Sequence, residues 1–555
     1  MKTPGSLTYL LKKYPLFRIA FLCIFASLLF LLFFMISFQT KKKPVLSSMT
    51  PQIGTAGDFV TLTGQYFGDT QEDSYVEIGG SKLTRTCYSF WSSSSIRIIL
   101  PQNIQDGLVY VVTRDGRSEP KYFADRLTIP VLVRSDPLIT TPVITEIDAK
   151  NPSIGSVISI TGKNFGSLRS DSQVFFTANS EDISTVEYIV CSDTNPDYDF
   201  WSDTEIRVRI PDGSCSGNVY VQTGKGISNL YKIQLSSGKG FKKFLNKRTY
   251  LLSVSTDISS VLSIGEGTVT LRIPKPPVSS SQRMIEVPVS SPAPAIPDYM
   301  GTIVHQFPVK NDSTEKISVN HSFVVPVYAV ETDIIANEIV PYSDKTLEIF
   351  SHLLRSDAVV LSDADSIKNT AKSITKGTVY QKARQIFDYM VKDFTLLQDI
   401  NTDETSILNA LESKTADAYD FALLYASLCR ASGVICIPVS GVLIDANLNA
   451  KNHWWCEFYL ENIGWVPSDP SLAAGLNYEP FSSAGKVEPS YYFGNLDSQH
   501  VAFSRGWNQI KQTNLAGKTV YRPKTYALQS IWEETSAAVQ SYSSFWSNVY
   551  VMGVY

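Results

Sequence analysis

The sequence predicts a multidomain protein that is β-rich for most of its length and α+β at its C-terminal end. Residues 44–235 contain the same pattern twice: short alternating apolar runs broken by Gly, Pro and Asp. Period-two alternation repeated at domain length describes small β-sandwiches. From Ser343 onward the apolar spacing becomes helical. One long uncharged apolar run, residues 19–38, precedes all of this.

The 555 residues suffice for roughly three or four domains of ~150 residues each. Hydrophobic residues make up 43% of them, so there is ample material for several cores. A net charge of -4 gives no broad basic field, which excludes nucleic acid as a partner class. The seven cysteines include no C-x-x-C pair. Zinc spacing is therefore absent, and neither a metal nor a cofactor is expected. Cys191 and Cys215 fall within one predicted domain, where a disulfide could join them. The other cysteines read as buried free thiols.

Residues 1–43 begin with a short basic segment containing Lys2, Lys12, Lys13 and Arg18. At 1.5 Å per residue, a helix over 19–38 spans ~30 Å, the thickness of the hydrocarbon core. The run is longer than the apolar core of a cleaved signal and lacks a small-x-small site. It predicts a single-pass signal anchor with a cytoplasmic N-terminus and the bulk of the chain periplasmic or extracellular. The membrane is thus an expected partner through this helix.

The repeat spans residues 44–135 and 142–236. Its first copy has Pro51-Gln-Ile-Gly54 and Val60-Thr-Leu-Thr-Gly64-Gln-Tyr-Phe67-Gly68. Its second has Pro152-Ser-Ile-Gly155 and Ile158-Ser-Ile-Thr-Gly162-Lys-Asn-Phe165-Gly166. Tyr88-Ser-Phe-Trp91 and Tyr198-Asp-Phe-Trp201 follow at matching places. The second copy carries an insertion near residues 177–197. This pattern resembles the IPT/TIG family of immunoglobulin-like domains. The resemblance implies a sandwich fold but no single function, since relatives act as spacers or binding modules.

Residues 240–340 read as a β-rich domain whose strands are interrupted by a Pro- and Ser-rich loop at 274–297. The ingredients of that loop resemble the β-domain that often precedes bacterial transglutaminase-like domains. His305, His321 and His352 have no ligand spacing and read as structural.

Residues 343–555 form the last domain. Helices are expected over 345–354, 378–394 and 416–432, and strands over 435–442, 454–460 and 464–467. A helix over 530–540 and a final strand in the aromatic-rich 542–555 are expected to close the same domain. Within this stretch stand Arg430-Ala-Ser-Gly433, His453-Trp-Trp455-Cys-Glu457-Phe-Tyr459 and Gly464-Trp465-Val-Pro-Ser-Asp469-Pro470. In this order and density they resemble the transglutaminase-like superfamily, cysteine enzymes with a papain-type core.

The resemblance implies a catalytic triad of a thiol at the helix start, a histidine and an aspartate. A thiol there is ionised more readily, because unpaired helix N–H groups favour the thiolate. The histidine moves the proton and the aspartate orients the histidine. His453 and Asp469 match the last two. The nucleophile position, however, holds Ala418, in Ala416-Asp417-Ala418. A methyl group cannot attack a carbonyl, so acyl transfer by the family mechanism is not expected.

Two further cysteines near the motif are poorly placed. Cys429 lies eleven residues beyond Ala418, or ~16 Å along the helix. Cys456 is odd-numbered steps from His453 and points to the other face of the strand. Two readings of His453 and Asp469 stay open: a retained cleft for an envelope peptide, protein or glycan, walled by Trp454, Trp455 and Trp465, or a buried hydrogen-bonded pair that keeps the fold. Asp497 and His500 read as local turn and core residues.

The leading expectation is a membrane-anchored, non-catalytic binding or scaffolding protein. An amide hydrolase or transamidase with a relocated nucleophile is the first alternative. A stalk or adhesin acting through its TIG domains is the second.

Overall fold

The computed structural model describes residues 14–39, 42–102, 104–126, 141–179, 186–192, 196–236, 240–310, 316–402, 406–481, 488–514 and 516–555. Lys2, Lys12 and Lys13, expected to precede the membrane segment, lie outside them. The chain divides into two compact units, Met1–Val133 and Arg134–Tyr555.

The first unit contains a helix, Pro15–Gln39, and the first sandwich. Leu16, Ile19, Leu22, Ile24, Leu28 and Phe30 on that helix are all more than half exposed. Among the described residues no helix is long and apolar enough to cross a membrane.

The sandwich shows why the repeated motif has its residues. Gly64 lies where Phe67 folds back over the strand: a Cβ there would stand 1.9 Å from the Val45 carbonyl oxygen and 2.5 Å from the Phe67 ring. Gly162 is equally crowded by Val143 and Phe165 in the second copy. Each Phe is buried, and each Trp of the motif bonds just beside it. Trp91 Nε1 donates to the Phe67 carbonyl at 3.2 Å, and Trp201 Nε1 to the Gly166 carbonyl at 3.1 Å.

The second unit holds the second sandwich, the β-rich domain and the α+β domain. The disulfide left open between Cys191 and Cys215 is not formed, and both cysteines are free. Cys191 points into the sandwich core, whereas Cys215 lines a crevice at the edge of the domain. They face different surroundings despite their closeness in sequence.

The β-rich domain is built on two long strands, Gly240–Ser263 and Ile317–Ile334, paired antiparallel. It is not complete within residues 240–340. Val539–Trp546 and Tyr550–Val554 pair with Gly240–Ser263, and Glu533–Thr535 pairs with Gly267–Pro274. The expected helix over 530–540 is therefore a strand and a turn. Its Trp532 and Val539 bury in the same core as Tyr250, Val269 and Phe323. Local helix formers such as Glu533 and Ala537 yield to this long-range pairing. The last domain loses its C-terminal strands to its neighbour.

In that core His305 and His321 place their Nε2 atoms 2.9 Å apart, one donating and one accepting. Both are neutral: burial and the neighbouring His321 push His305 down to about 3, and burial pushes His321 down to about 4.

One carboxylate joins the three domains of this unit. Asp212 of the second sandwich pairs with Lys242 of the β-rich domain and accepts from Ser280 Oγ at 2.9 Å. It also accepts from the Trp465 backbone N–H of the α+β domain at 3.3 Å. Lys242 Nζ donates in turn to the Trp465 carbonyl at 2.8 Å. Burial pulls the Lys242 pKa down against the Asp212 charge.

The α+β domain has a four-stranded antiparallel sheet packed against helices. In chain order its elements are helix α1 (Ala418–Ala431), strands β1 (Cys436–Ile444), β2 (Ala450–Leu460) and β3 (Gly464–Ser468), the short helix α2 (Pro470–Ala473) and strand β4 (His500–Arg505). The sheet order is β3-β2-β1-β4. Around α1 pack Val379–Asp393, which was expected, and Asp365–Ile374 and Ile407–Ser413, which were not.

Two outcomes test this packing. Lys242→Ala leaves Asp212 unpaired at a buried junction and should cost about 3–5 kcal/mol in denaturant unfolding, more than Lys242→Met with Asp212→Asn. The histidine pair binds fewer protons folded than unfolded below pH 6.5. Stability should therefore fall between pH 6.5 and 4.5, by about 2 kcal/mol per ring. The double variant His305→Phe, His321→Phe should flatten that slope in thermal unfolding.

Candidate functional site

Helix α1 runs through the centre of the domain, and Ala418 through Arg430 are all buried. Asp417 caps it, accepting from the Asp420 backbone N–H at 3.0 Å. Gly433, at φ 82°, turns the chain out of it. Its first turn lies on β2: the Tyr419 and Trp454 rings meet edge-on at 5.4 Å, and Cys456 Sγ donates to the Ala422 carbonyl at 3.0 Å.

His453 lies on β2 opposite Gly441 of β1. Gly441 has no room for a side chain, since a Cβ would stand 1.9 Å from the Val501 carbonyl oxygen. That close approach lets β4 lie tightly on β1 and brings His500 to the same place as His453. The two rings meet edge-on at 5.4 Å.

Asp469 lies between them. His453 Nε2 donates to its Oδ2 at 2.6 Å and His500 Nε2 to the same oxygen at 3.3 Å. Oδ1 accepts from the backbone N–H groups of Ser471 and Leu472, each at 3.0 Å, and from Ser471 Oγ at 2.7 Å. Asp469 is thus also the cap of α2. It is fully buried. Burial opposes its charge, but the two imidazoles overcome this and hold it far below the carboxylate range.

His500 bonds a carboxylate through each nitrogen: Asp469 through Nε2, and Asp497 Oδ1 through Nδ1 at 2.7 Å. Carboxylates only accept, so both nitrogens carry protons and the ring is an imidazolium. Burial lowers its pKa, but Asp497 and Asp469 raise it further, to about 9. Asp497 accepts from Tyr478 Oη at 3.0 Å as well. Sequence reading took Asp497 and His500 for turn and core residues; the fold makes them part of the His453–Asp469 cluster. His500 has no motif spacing to Asp469. The only signal was a second buried histidine in the same domain, with an acid three residues before it.

At the helix start, by contrast, the position matching the nucleophile holds a methyl group. Ala418 is 2% exposed. Beside it Asp417 Oδ2 accepts from Lys524 Nζ at 2.7 Å and from the Asn401 backbone N–H at 2.9 Å. Lys524 also donates to the Asn401 carbonyl at 2.7 Å. The C-terminal segment is thereby fastened over the N-terminus of α1. Burial and the Asp417 charge push Asp420 up to about 6.

The three cysteines of the domain are wholly buried among the apolar side chains around α1. Burial raises the pKa of Cys429 and Cys456. At Cys436 burial also acts upward, but thiol hydrogen bonds from Cys429 and Cys456 draw it down to about 5. Cys436 is five residues along β1 from Gly441, the partner of His453, or about 17 Å. All three thiols thus lie away from the histidine or are turned from it, and all are sealed from solvent.

The expected tryptophan-walled cleft is not one cleft. Trp454 points into the helical core. Trp455 lies against His453 and His500, with ring centroids at 6.1 and 5.2 Å. Trp465 packs on Phe350 and Tyr459. Alternation along β2 is the reason, as adjacent residues face opposite sides. Trp455 and Trp465 do share a narrow crevice with Gln282 and His500 on one side of the sheet.

Two family models match parts of this architecture. Residues 368–470 match the model of the transglutaminase-like superfamily, and residues 44–124 and 142–237 match that of the IPT/TIG domain. Among solved structures, the chain is similar to a candidate cysteine protease from Cytophaga hutchinsonii at 15% identity, over 57% of this chain and 92% of that one, with a TM-score of 0.35. It is also similar to the periplasmic domain of TgpA from Pseudomonas aeruginosa at 10% identity, over 41% of this chain and 87% of that one, with a TM-score of 0.24. SGBP-B from a xyloglucan utilization locus of Bacteroides uniformis aligns at 10% identity, over 52% and 99% of the two chains, with a TM-score of 0.17. No curated protein matches.

Replacing Asp469 with alanine would leave His500 with one carboxylate partner, His453 with none and α2 uncapped. The expected cost is about 3–5 kcal/mol in denaturant unfolding, with Ser471→Ala costing about 1 kcal/mol.

Proposed function

We propose that this protein is a membrane-anchored extracytoplasmic scaffold whose transglutaminase-like domain has lost acyl transfer and serves binding and assembly in the cell envelope. One observation carries the reading. The N-terminus of α1, where the family places its thiol, presents the Ala418 methyl group and is closed by the Lys524–Asp417 pair. His453 and Asp469 keep the geometry of a base and its orienter. Without a nucleophile they can neither form nor hydrolyse an acyl-enzyme.

Two features support the rest. The exposed apolar side chains of Leu16, Ile19, Leu22, Ile24, Leu28 and Phe30 suit a lipid surface better than water. The Asp212–Lys242–Trp465 junction holds the last three domains as one body, which suits a presenting or docking role. Envelope peptides or proteins are the proposed ligands, taken up by the body as a whole rather than by a tryptophan cleft.

The test is amine incorporation and amide hydrolysis on glutamine-containing peptides. The wild-type protein should give neither above background, and Ala418→Cys should gain measurable thiol-dependent turnover. Wild-type turnover that a thiol reagent abolishes would overturn the reading.

A further inference from the structure

The spacing of residues along the chain showed no metal site, but the fold assembles one. We infer that His453, Asp469 and His500 bind a divalent transition-metal ion of the zinc class. Each offers one ligand atom, and these atoms lie within 4.8 Å of one another; all three residues are buried. They come from three separate places, β2, the end of β3 and β4, so no local sequence pattern announces them.

Two of the three distances are close to what an ion requires, and the third, between the two histidines, lies within 4.8 Å and closes as the rings turn toward the ion. Tetrahedral zinc with bonds of about 2.0–2.1 Å sets its ligand atoms about 3.3 Å apart. His500 Nε2 and Asp469 Oδ2 are already 3.3 Å apart. His453 Nε2 and Asp469 Oδ2, at 2.6 Å, must open by about 0.7 Å, a small rotation of the two side chains. Two imidazoles and one carboxylate form a donor set for Zn²⁺, Co²⁺ or Fe²⁺ rather than for Ca²⁺ or Mg²⁺.

The surrounding bonds are those of a metal site. A ligating histidine usually donates its other N–H to a carboxylate, which fixes the ring and makes it more basic. His500 does this with Nδ1 to Asp497 Oδ1 at 2.7 Å, and Asp497 is held in turn by Tyr478 Oη at 3.0 Å. Asp469 keeps Oδ2 for the ion while three donors hold Oδ1. On binding, the two Nε2 protons that now point at Asp469 leave to solvent, and each nitrogen turns its lone pair to the ion. The Nδ1 proton of His500 stays on its Asp497 bond. The crevice bordered by Gln282, Trp455 and Asp497 reaches His500 and gives a path of approach. An ion there would draw β2, β3 and β4 together at the point where the family's reaction was lost.

The experiment is titration of the chelator-stripped full-length protein in detergent with Zn²⁺, and with Co²⁺ as a visible-absorption probe. One equivalent should bind, with the Co²⁺ spectrum of a four- or five-coordinate site. His500→Ala should weaken binding at least 100-fold. Asp497→Asn retains the ring and its packing, and should weaken binding about 10–100-fold. Absent binding, substoichiometric binding, or affinity unchanged in both variants would overturn the assignment and leave a hydrogen-bonded cluster only. The readout is metal content and spectrum, so it can fail or succeed independently of the Ala418→Cys assay.

Discussion

The α+β domain depends on one buried carboxylate. Asp469 has no contact with water, and an ion so placed is tolerable only if its hydrogen-bonding capacity is filled. Five donors fill it: two imidazoles, two backbone amides and a hydroxyl. Satisfying them fixes β2, β4 and the first turn of α2 relative to one another. The glycine at 441 is needed because β4 must come close enough to deliver His500. A core built around this anion has a strong reason to keep His453 and Asp469 even when no reaction uses them. Their presence is therefore weak support for catalysis, and the identity of residue 418 decides more than either.

The same logic operates at a larger scale at Asp212. A single carboxylate accepts from two neighbouring domains, and Lys242 returns the charge to the Trp465 carbonyl. The β-rich domain in turn takes its closing strands from the far C-terminus. On its way there the chain passes over α1, where Lys524 is held by Asp417 and Asn401. Fastening of the C-terminal segment at the start of α1 and completion of the neighbouring domain are thus two consequences of one chain path. The last three domains form one compact unit in which the site is an internal part.

What the sequence revealed, and what it hid, follows from the range of the interactions. The sandwiches were legible because Gly64 and Gly162 answer to a ring three residues away, a local steric demand that recurs in both copies. Helix α1 was legible from its apolar length and Gly433, while its cap, Asp417, was not. His453 and Asp469 were legible because motif order carries them. The strands at 533–535 and 539–546 were not, since their partners lie more than 250 residues earlier and local helix formers occupy the positions. His500 was missed for the same reason: it reaches Asp469 through sheet order, not through spacing. The tryptophans were misjudged because adjacency in sequence was taken for adjacency in space, whereas Trp454 and Trp455 face opposite sides of one strand.

The central claim is that no thiol of this domain is available to do chemistry. The most direct measurement is alkylation of the native protein followed by mass spectrometry of each cysteine. The half-buried Cys215 should be modified, while Cys429, Cys436 and Cys456 should stay free until the protein is unfolded. Rapid native modification of Cys436, accompanied by loss of an amide-cleaving or amine-transferring activity, would contradict the account.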